Sequence, residues 1–219
     1  VPRPCILAAD EGYNQEWSTE LTVQQAQDEY IKAWCALKIM SKVYGFGDPD
    51  GFVFNMSVGY DLDGIKGRKV NTYINNMMDA GKTAQFKECK KVLTELFPEE
   101  KDFIASISPN VSRSVTLSTL HGCPPQEIER IASYLLKEKH LHTFVKCNPT
   151  ILGYKTARSI LDSMGYDYIV FDEHHFNEDL QWEDAVPMFE RLQKLADKQG
   201  LEFGLKLSNT FPVDVKAGE

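Results

Sequence analysis

The sequence contains no CxxC pair, no block of like charge and no apolar run approaching the roughly 20 residues that span a bilayer. Its start, Val1-Pro2-Arg3-Pro4, has neither an initiating Met nor the apolar core of a signal peptide. These absences predict a cytoplasmic protein with no membrane partner. The missing Met, together with an end at Val215-Lys216-Ala217-Gly218-Glu219, leads us to expect a segment of a larger protein. The five cysteines, Cys5, Cys35, Cys89, Cys123 and Cys147, are odd in number and widely spaced, which argues against a disulfide framework and for a reducing compartment. Lys and Arg number 24 against 32 Asp and Glu, a net charge of −8. Phosphate binding along a nucleic acid needs concentrated positive charge, so no nucleic-acid partner is expected. Neither GxGxxG nor GxxxxGK[ST] follows any predicted strand, which removes the phosphate-cradling fingerprints of dinucleotide and nucleotide folds.

What is present suits a folded domain, with 42% apolar and 26% charged residues in a chain of 219. Thr22 and Gln25 make a capping-box pattern before a helix from about Thr22 to Tyr44. Its expected apolar face is Ala26, Tyr30, Ala33, Leu37, Met40 and Tyr44, and Gly45 stops it. Phe52–Val58 reads as a strand between glycines. Helical stretches follow near Arg68–Ala80, Thr83–Phe97 and Glu99–Ile107, with Gly81 and Pro98 as punctuation, and Met77-Met78 reads as core filler.

From Ser114 the pattern is regular. Strands are predicted at Ser114–Leu120, His142–Asn148, Tyr168–Asp172 and Glu202–Ser208, separated by helices at Pro125–Lys139, Gly153–Met164 and Trp182–Gln199. Strand starts about 30 residues apart mark repeated βα units, and nearly continuous apolar strands imply a buried parallel sheet. An open doubly wound sheet and a barrel both fit, and the missing phosphate fingerprints favour the barrel. A complete eight-stranded barrel takes about 250 residues. Five clear strands and a weak sixth at Pro4–Ala8 therefore predict α/β architecture, a partial (β/α)8 TIM barrel, over residues 1–219 as a single domain.

In such folds chemistry gathers where strands end. Asn55 to Tyr60, His121 to Pro124, Lys146 to Asn148, Asp172 to His175, and Lys206 to Thr210 are the candidate rims. Cys123 opens a helix whose N-terminal dipole should depress its pKa, making it a candidate nucleophile, redox thiol or acid; a plain Pro-rich helix entry explains it equally well. Glu173, His174 and His175 offer general acid and base groups, or a solvated strand exit. Their spacing with His121, Cys123 and Cys147 matches no standard zinc pattern. Lys146 and Lys206 lie within apolar strands, and a buried ammonium needs a partner, either an anionic cofactor or a nearby carboxylate. The Tyr60–Gly67 loop and Asp10–Asn14 could each be a substrate lid or a plain connection.

Four phrases carry a resemblance: Asp10-Glu11-Gly12-Tyr13-Asn14 with Glu16–Glu20, Ser57–Leu62, Leu117–Pro125, and Lys206–Val213. Together they make the chain similar to the N-terminal region of the YgfK-type "putative selenate reductase" subunit family. The resemblance implies a dihydroorotate-dehydrogenase-like TIM barrel within a much longer protein, joined to an FAD- and NADPH-binding module and to iron–sulfur segments. Thr143 to Pro212 resembles the middle of the flavin barrels of dihydropyrimidine and dihydroorotate dehydrogenases. On that alignment Lys206 matches the lysine at the FMN ring, Asn209 and Asn55 are further candidate cofactor contacts, and Asp172–His175 falls where those enzymes carry a catalytic cysteine. That cysteine is absent here, and Glu173 or a histidine would have to act as acid. A competing alignment sets Leu117–Cys123 on the cysteine motif and Lys146 at the flavin. The first is preferred because it leaves room for three further strands.

The implied function is part of an oxidoreductase acting on a heterocycle or an oxyanion. FMN would be bound only in the full-length parent, FAD and iron–sulfur clusters in its other modules, and the isolated segment would be inactive. The partners implied are those modules and a small-molecule substrate. A non-catalytic barrel that docks electron-transfer modules, or a metal-dependent lyase or hydrolase using His121, Cys123, His174 and His175, are the alternatives.

Overall fold

A computed structural model describes residues 21–118 and 122–207. The expected strand Pro4–Ala8 and the candidate residues Asp10–Asn14, His121, Ser208, Asn209 and Thr210 lie outside them. The chain divides into two compact units, residues 1–55 with 66–113, and residues 56–65 with 114–219.

In the first unit, α1 (Val23–Tyr44) begins with the expected capping box, Thr22 Oγ1 accepting from Gln25 N and Gln25 Oε1 accepting from Thr22 N. It ends at Gly45, which takes the left-handed φ of 68° that a side chain resists. The buried face is Ala26, Ile31, Trp34, Cys35, Lys38 and Ile39; Leu37, Met40 and Tyr44 are exposed. The predicted stripe is therefore rotated, and Lys38 shows why. Its ammonium sits 4.1 Å from the Trp34 ring centroid and 4.6 Å from that of Phe52, and it pairs with Asp50 at 2.9 Å. A cation whose stem packs in aromatics while its head is paired can occupy a core-facing position that an apolar count assigns elsewhere. Helices α3 (Arg68–Met78), α4 (Ala84–Leu96) and α5 (Lys101–Ser106) match the predicted stretches, and both α3 and α4 pack on α1. Met77 is fully buried, in agreement with core filler.

The sheet has the order β1 (Phe54–Val58), β2 (Ser112–Leu117), β3 (His142–Cys147) and β4 (Phe203–Leu207), and among the described residues it is not closed. β2 to β3 and β3 to β4 pair in parallel. The second unit buries Val115, Leu117 and Val145 from the strands, with Ile128, Ile131 and Leu135 of α6 (Pro125–Lys137) and Met188 and Leu192 of α9 (Trp182–Gln199). Each such side chain contributes about 1.5–3 kcal/mol on burial. The Tyr60–Gly67 loop contains a helix that sequence patterning missed, α2 (Leu62–Lys66), opened by Gly64 N donating to Asp61 Oδ1 at 2.8 Å and tied by Leu62 N donating to Glu127 Oε1 at 3.0 Å.

One predicted strand is absent. Residues 168–172 form only a bridge at Val170, and β3 pairs directly with β4. The segment packs on α7 (Tyr154–Ser163) instead. Phe171 and Phe176 stack at 5.5 Å and close around Tyr154, Ala157 and Leu161. Arg158 donates to the carbonyls of Ile169 at 2.6 Å and Tyr166 at 2.8 Å and lies 4.8 Å from the Phe171 ring. A guanidinium that satisfies these carbonyls removes the need for a ladder partner.

Candidate functional site

The second unit gathers its polar groups at the C-terminal ends of β2 and β3. A cavity of about 10 Å³, room for one water, is lined by Cys123, Lys146, Cys147, Asn148, Thr150 and Asp179 among others. Asp179, only 7% exposed, is its hub. Its Oδ1 accepts from Gly122 N at 3.0 Å, and its Oδ2 from Thr150 Oγ1 at 2.6 Å and Asn148 Nδ2 at 3.3 Å. Gly122 offers its N–H from a φ of 77°, where a side chain would be strained. Gln181 Nε2 in turn donates to the carbonyls of Asp179 at 2.6 Å and Phe176 at 2.7 Å, fixing the turn that carries the carboxylate. One carboxylate thus binds the loop after β2 to the exit of β3.

The register sets Lys146 of β3 opposite Lys206 of β4. Paired residues in a ladder project to the same face about 4.8 Å apart, so the two lysines, rivals as the flavin contact, are neighbours on one surface. Beside them Phe144 lies over Gly204, where an added Cβ would stand 2.6 Å from the ring; only glycine admits this pairing.

The thiols differ from expectation. Burial first, and the Glu127 carboxylate second, raise the Cys123 pKa; the expected depression by the helix N-terminus is reversed. Burial pushes Cys147 up to about 11. Both are free thiols, protonated near neutrality. Glu173 and His174 are exposed, and His175 is half-buried, on or beside the short helix α8 (His174–Glu178). His174 Nε2 meets Glu178 at 3.3 Å, and Asp172 Oδ1 caps the backbone N–H groups of His174 and His175. None of these three side chains lines the cavity at Asp179. Asn55, expected at a strand exit, is the second residue of β1 and exposed in the first unit. Among the described residues no three His, Cys, Asp or Glu side chains gather as a metal site, and no helix is long and apolar enough to cross a membrane. Sequence reasoning missed Asp179 and Thr150. Both lie past the strand-end residues singled out in the sequence, where no local signal marks them.

A family model described as "Oxidoreductase YgfK, N-terminal TIM-barrel domain" matches residues 1–219. The chain belongs to this family. Proteins named "Putative oxidoreductase YgfK" from Escherichia coli strain K12 and from Escherichia coli O157:H7 are each 45% identical to it over 227 aligned residues, covering 96% of this chain and 22% of the relative. The chain thus spans about a fifth of the length of the curated relatives it matches. No solved structure matches it. The YgfK description of a TIM-barrel domain agrees with the partial barrel expected from the βα spacing, and the open parallel sheet is a portion of such a barrel.

Proposed function

We propose that this chain is the N-terminal barrel portion of a multidomain oxidoreductase and that the face carrying Lys146 and Lys206 binds an anionic, electron-accepting ring, with FMN as the cofactor. The observation that supports this most directly is the register that sets the two lysines opposite each other. Two cationic side chains on one face give an anionic ring edge two charge-assisted contacts at once. The chemistry fits reduced flavin, which carries negative charge along its N1/O2 edge. The one-water cavity at Asp179 is too small for the ring, which would lie over the exposed Lys206 while Asp179 holds the neighbouring loops in place. The phosphate of the cofactor would be held by further strands of the parent, and the isolated segment would bind no stoichiometric flavin and be inactive. FAD and iron–sulfur clusters in the other modules would carry electrons between a nicotinamide and a heterocyclic or oxyanion substrate in the cytoplasm. Of the candidate acids, Glu173, His174, His175 and Cys123, it is Glu173 and His174 that are exposed to solvent.

The test is the absorbance spectrum of the full-length parent before and after reduction, with Lys146→Ala and Lys206→Ala variants. Flavin absorbance that bleaches on reduction is expected, with each variant weakening reduced flavin roughly tenfold or more, and beyond the loss for oxidised flavin. A parent lacking FMN overturns the reading and favours a barrel that only docks its neighbours. Equal weakening of both redox states removes the lysines from the ring edge.

A further inference from the structure

On the sheet face that carries the two lysines, the next row away from the strand ends holds an aromatic ring. Side chains alternate between faces along a strand, so Phe144 stands on the Lys146 face of β3, and Thr143, Val145 and Cys147 stand on the other. That other face is closed, with those three at 0%, 0% and 2% exposure, whereas Phe144 is only half-buried. Phe144 pairs with Thr116 of β2 and Gly204 of β4, and Lys146 pairs with Lys206 about 6.6 Å further along the strands. Gly204 decides where the ring goes. A Cβ there would lie 2.6 Å from both Cδ1 and Cε1 of Phe144, so the ring edge takes the space that a side chain on β4 would need. Glycine inside a strand often marks a close approach to the backbone, and here the approaching group is a ring leaning from β3 across β4.

Resting on the reading of this face as a ring site, we propose that Phe144, laid across β4 by Gly204, is the apolar shelf against which the planar ring rests while Lys146 and Lys206 hold its anionic edge. The two chemistries side by side define the ligand class. The lysines attract any small anion. The shelf adds a contact only for a ligand with a flat, polarisable face next to its charge. The face is thereby matched to an anionic heterocycle such as reduced flavin, and not to a tetrahedral oxyanion, which has charge but no apolar face. The two contacts also respond differently to electrons. Attraction to the lysines grows when the ring gains charge, whereas packing on Phe144 follows the buried area and is nearly equal in both redox states.

The experiment uses the full-length parent. Flavin released by acid from one sample is separated into FMN and FAD by chromatography, and protein stripped of FMN is titrated with FMN by equilibrium dialysis, oxidised and after anaerobic reduction with dithionite. Phe144→Ala should weaken FMN roughly tenfold, by the same factor in both redox states. Phe144→Leu, which keeps the bulk and loses the ring, should weaken it roughly threefold, and Phe144→Tyr should bind as the parent does. Lys206→Ala, by contrast, should weaken reduced FMN more than oxidised. Far-ultraviolet circular dichroism checks that each variant folds, and if Phe144→Ala does not, Phe144→Leu decides. Unchanged FMN affinity in the folded Phe144 variants, with the lysine effect intact, overturns the shelf and leaves the ring site standing. A loss confined to reduced FMN also overturns the shelf, since it would place Phe144 in the charge contact. A parent without FMN overturns the ring site and the shelf together.

Discussion

Asp172 and Asp179 flank the same five-residue helix, α8, and their carboxylates reach entirely different ranges of the chain. Asp172 is exposed and, among the described residues, accepts from the backbone two and three residues ahead, at His174 and His175. Asp179 is buried and accepts from groups 57, 31 and 29 residues away. Water can replace the first set of bonds at little cost. It cannot replace the second without entering a site that holds one molecule, so Asp179 organises the strand ends while Asp172 only finishes a helix.

The contrast breaks most visibly on substitution. Asp179→Ala should cost about 2–4 kcal/mol by leaving buried donors unsatisfied, whereas Asp172→Ala should cost about 0.5–1 kcal/mol, as for a helix-end bond. Denaturant titration of both variants checks this, and similar midpoints would mean that Asp179 is no more structural than its neighbour. A next, smaller effect tests whether the pairing that opposes the two lysines is equally non-local. Gly204→Ala should cost about 1–3 kcal/mol, because its Cβ meets the Phe144 ring at 2.6 Å, and adding Phe144→Leu should recover part of the loss.

The smallest effect concerns an exposed pair, Arg191 of α9 with Glu129 of α6, bidentate at 2.8 and 2.7 Å. The Arg191 hydrogen bonds hold the Glu129 pKa below its usual range. A lowered folded-state pKa contributes stability that is present above the ordinary glutamate range and is lost as pH falls through the lowered value. Arg191→Ala should therefore be slightly less stable than the parent at neutral pH and indistinguishable from it in strong acid, measured as denaturation midpoints across that range. A difference that persists in acid would place the effect in packing of the arginine stem.

Much of the architecture was legible because it follows from short-range physics. The Thr22 and Gln25 capping box, the Gly45 stop and the αβ alternation after Ser114 are properties of neighbouring residues. Errors arose where a distant group intervened. The α1 stripe was misplaced because Lys38 is boxed by Trp34, Phe52 and Asp50. The strand at 168–172 is lost to Arg158 and the aromatic pair Phe171 and Phe176. At the site, Lys146 and Cys123 were legible by their place at or just beyond strand ends, whereas Glu173, His174 and His175 lie on or beside a solvated helix, outside the cavity.

The sequence by itself determined the βα period, the helix ends, the parallel pairing and the YgfK family, since each is written in spacing and in contiguous phrases. Only the tertiary structure decided that Lys146 faces Lys206 and that Asp179 collects Gly122, Asn148 and Thr150. The physical reason is that register and buried hydrogen bonds join residues tens of positions apart. No local propensity encodes which carboxylate will be nearest once the sheet has formed.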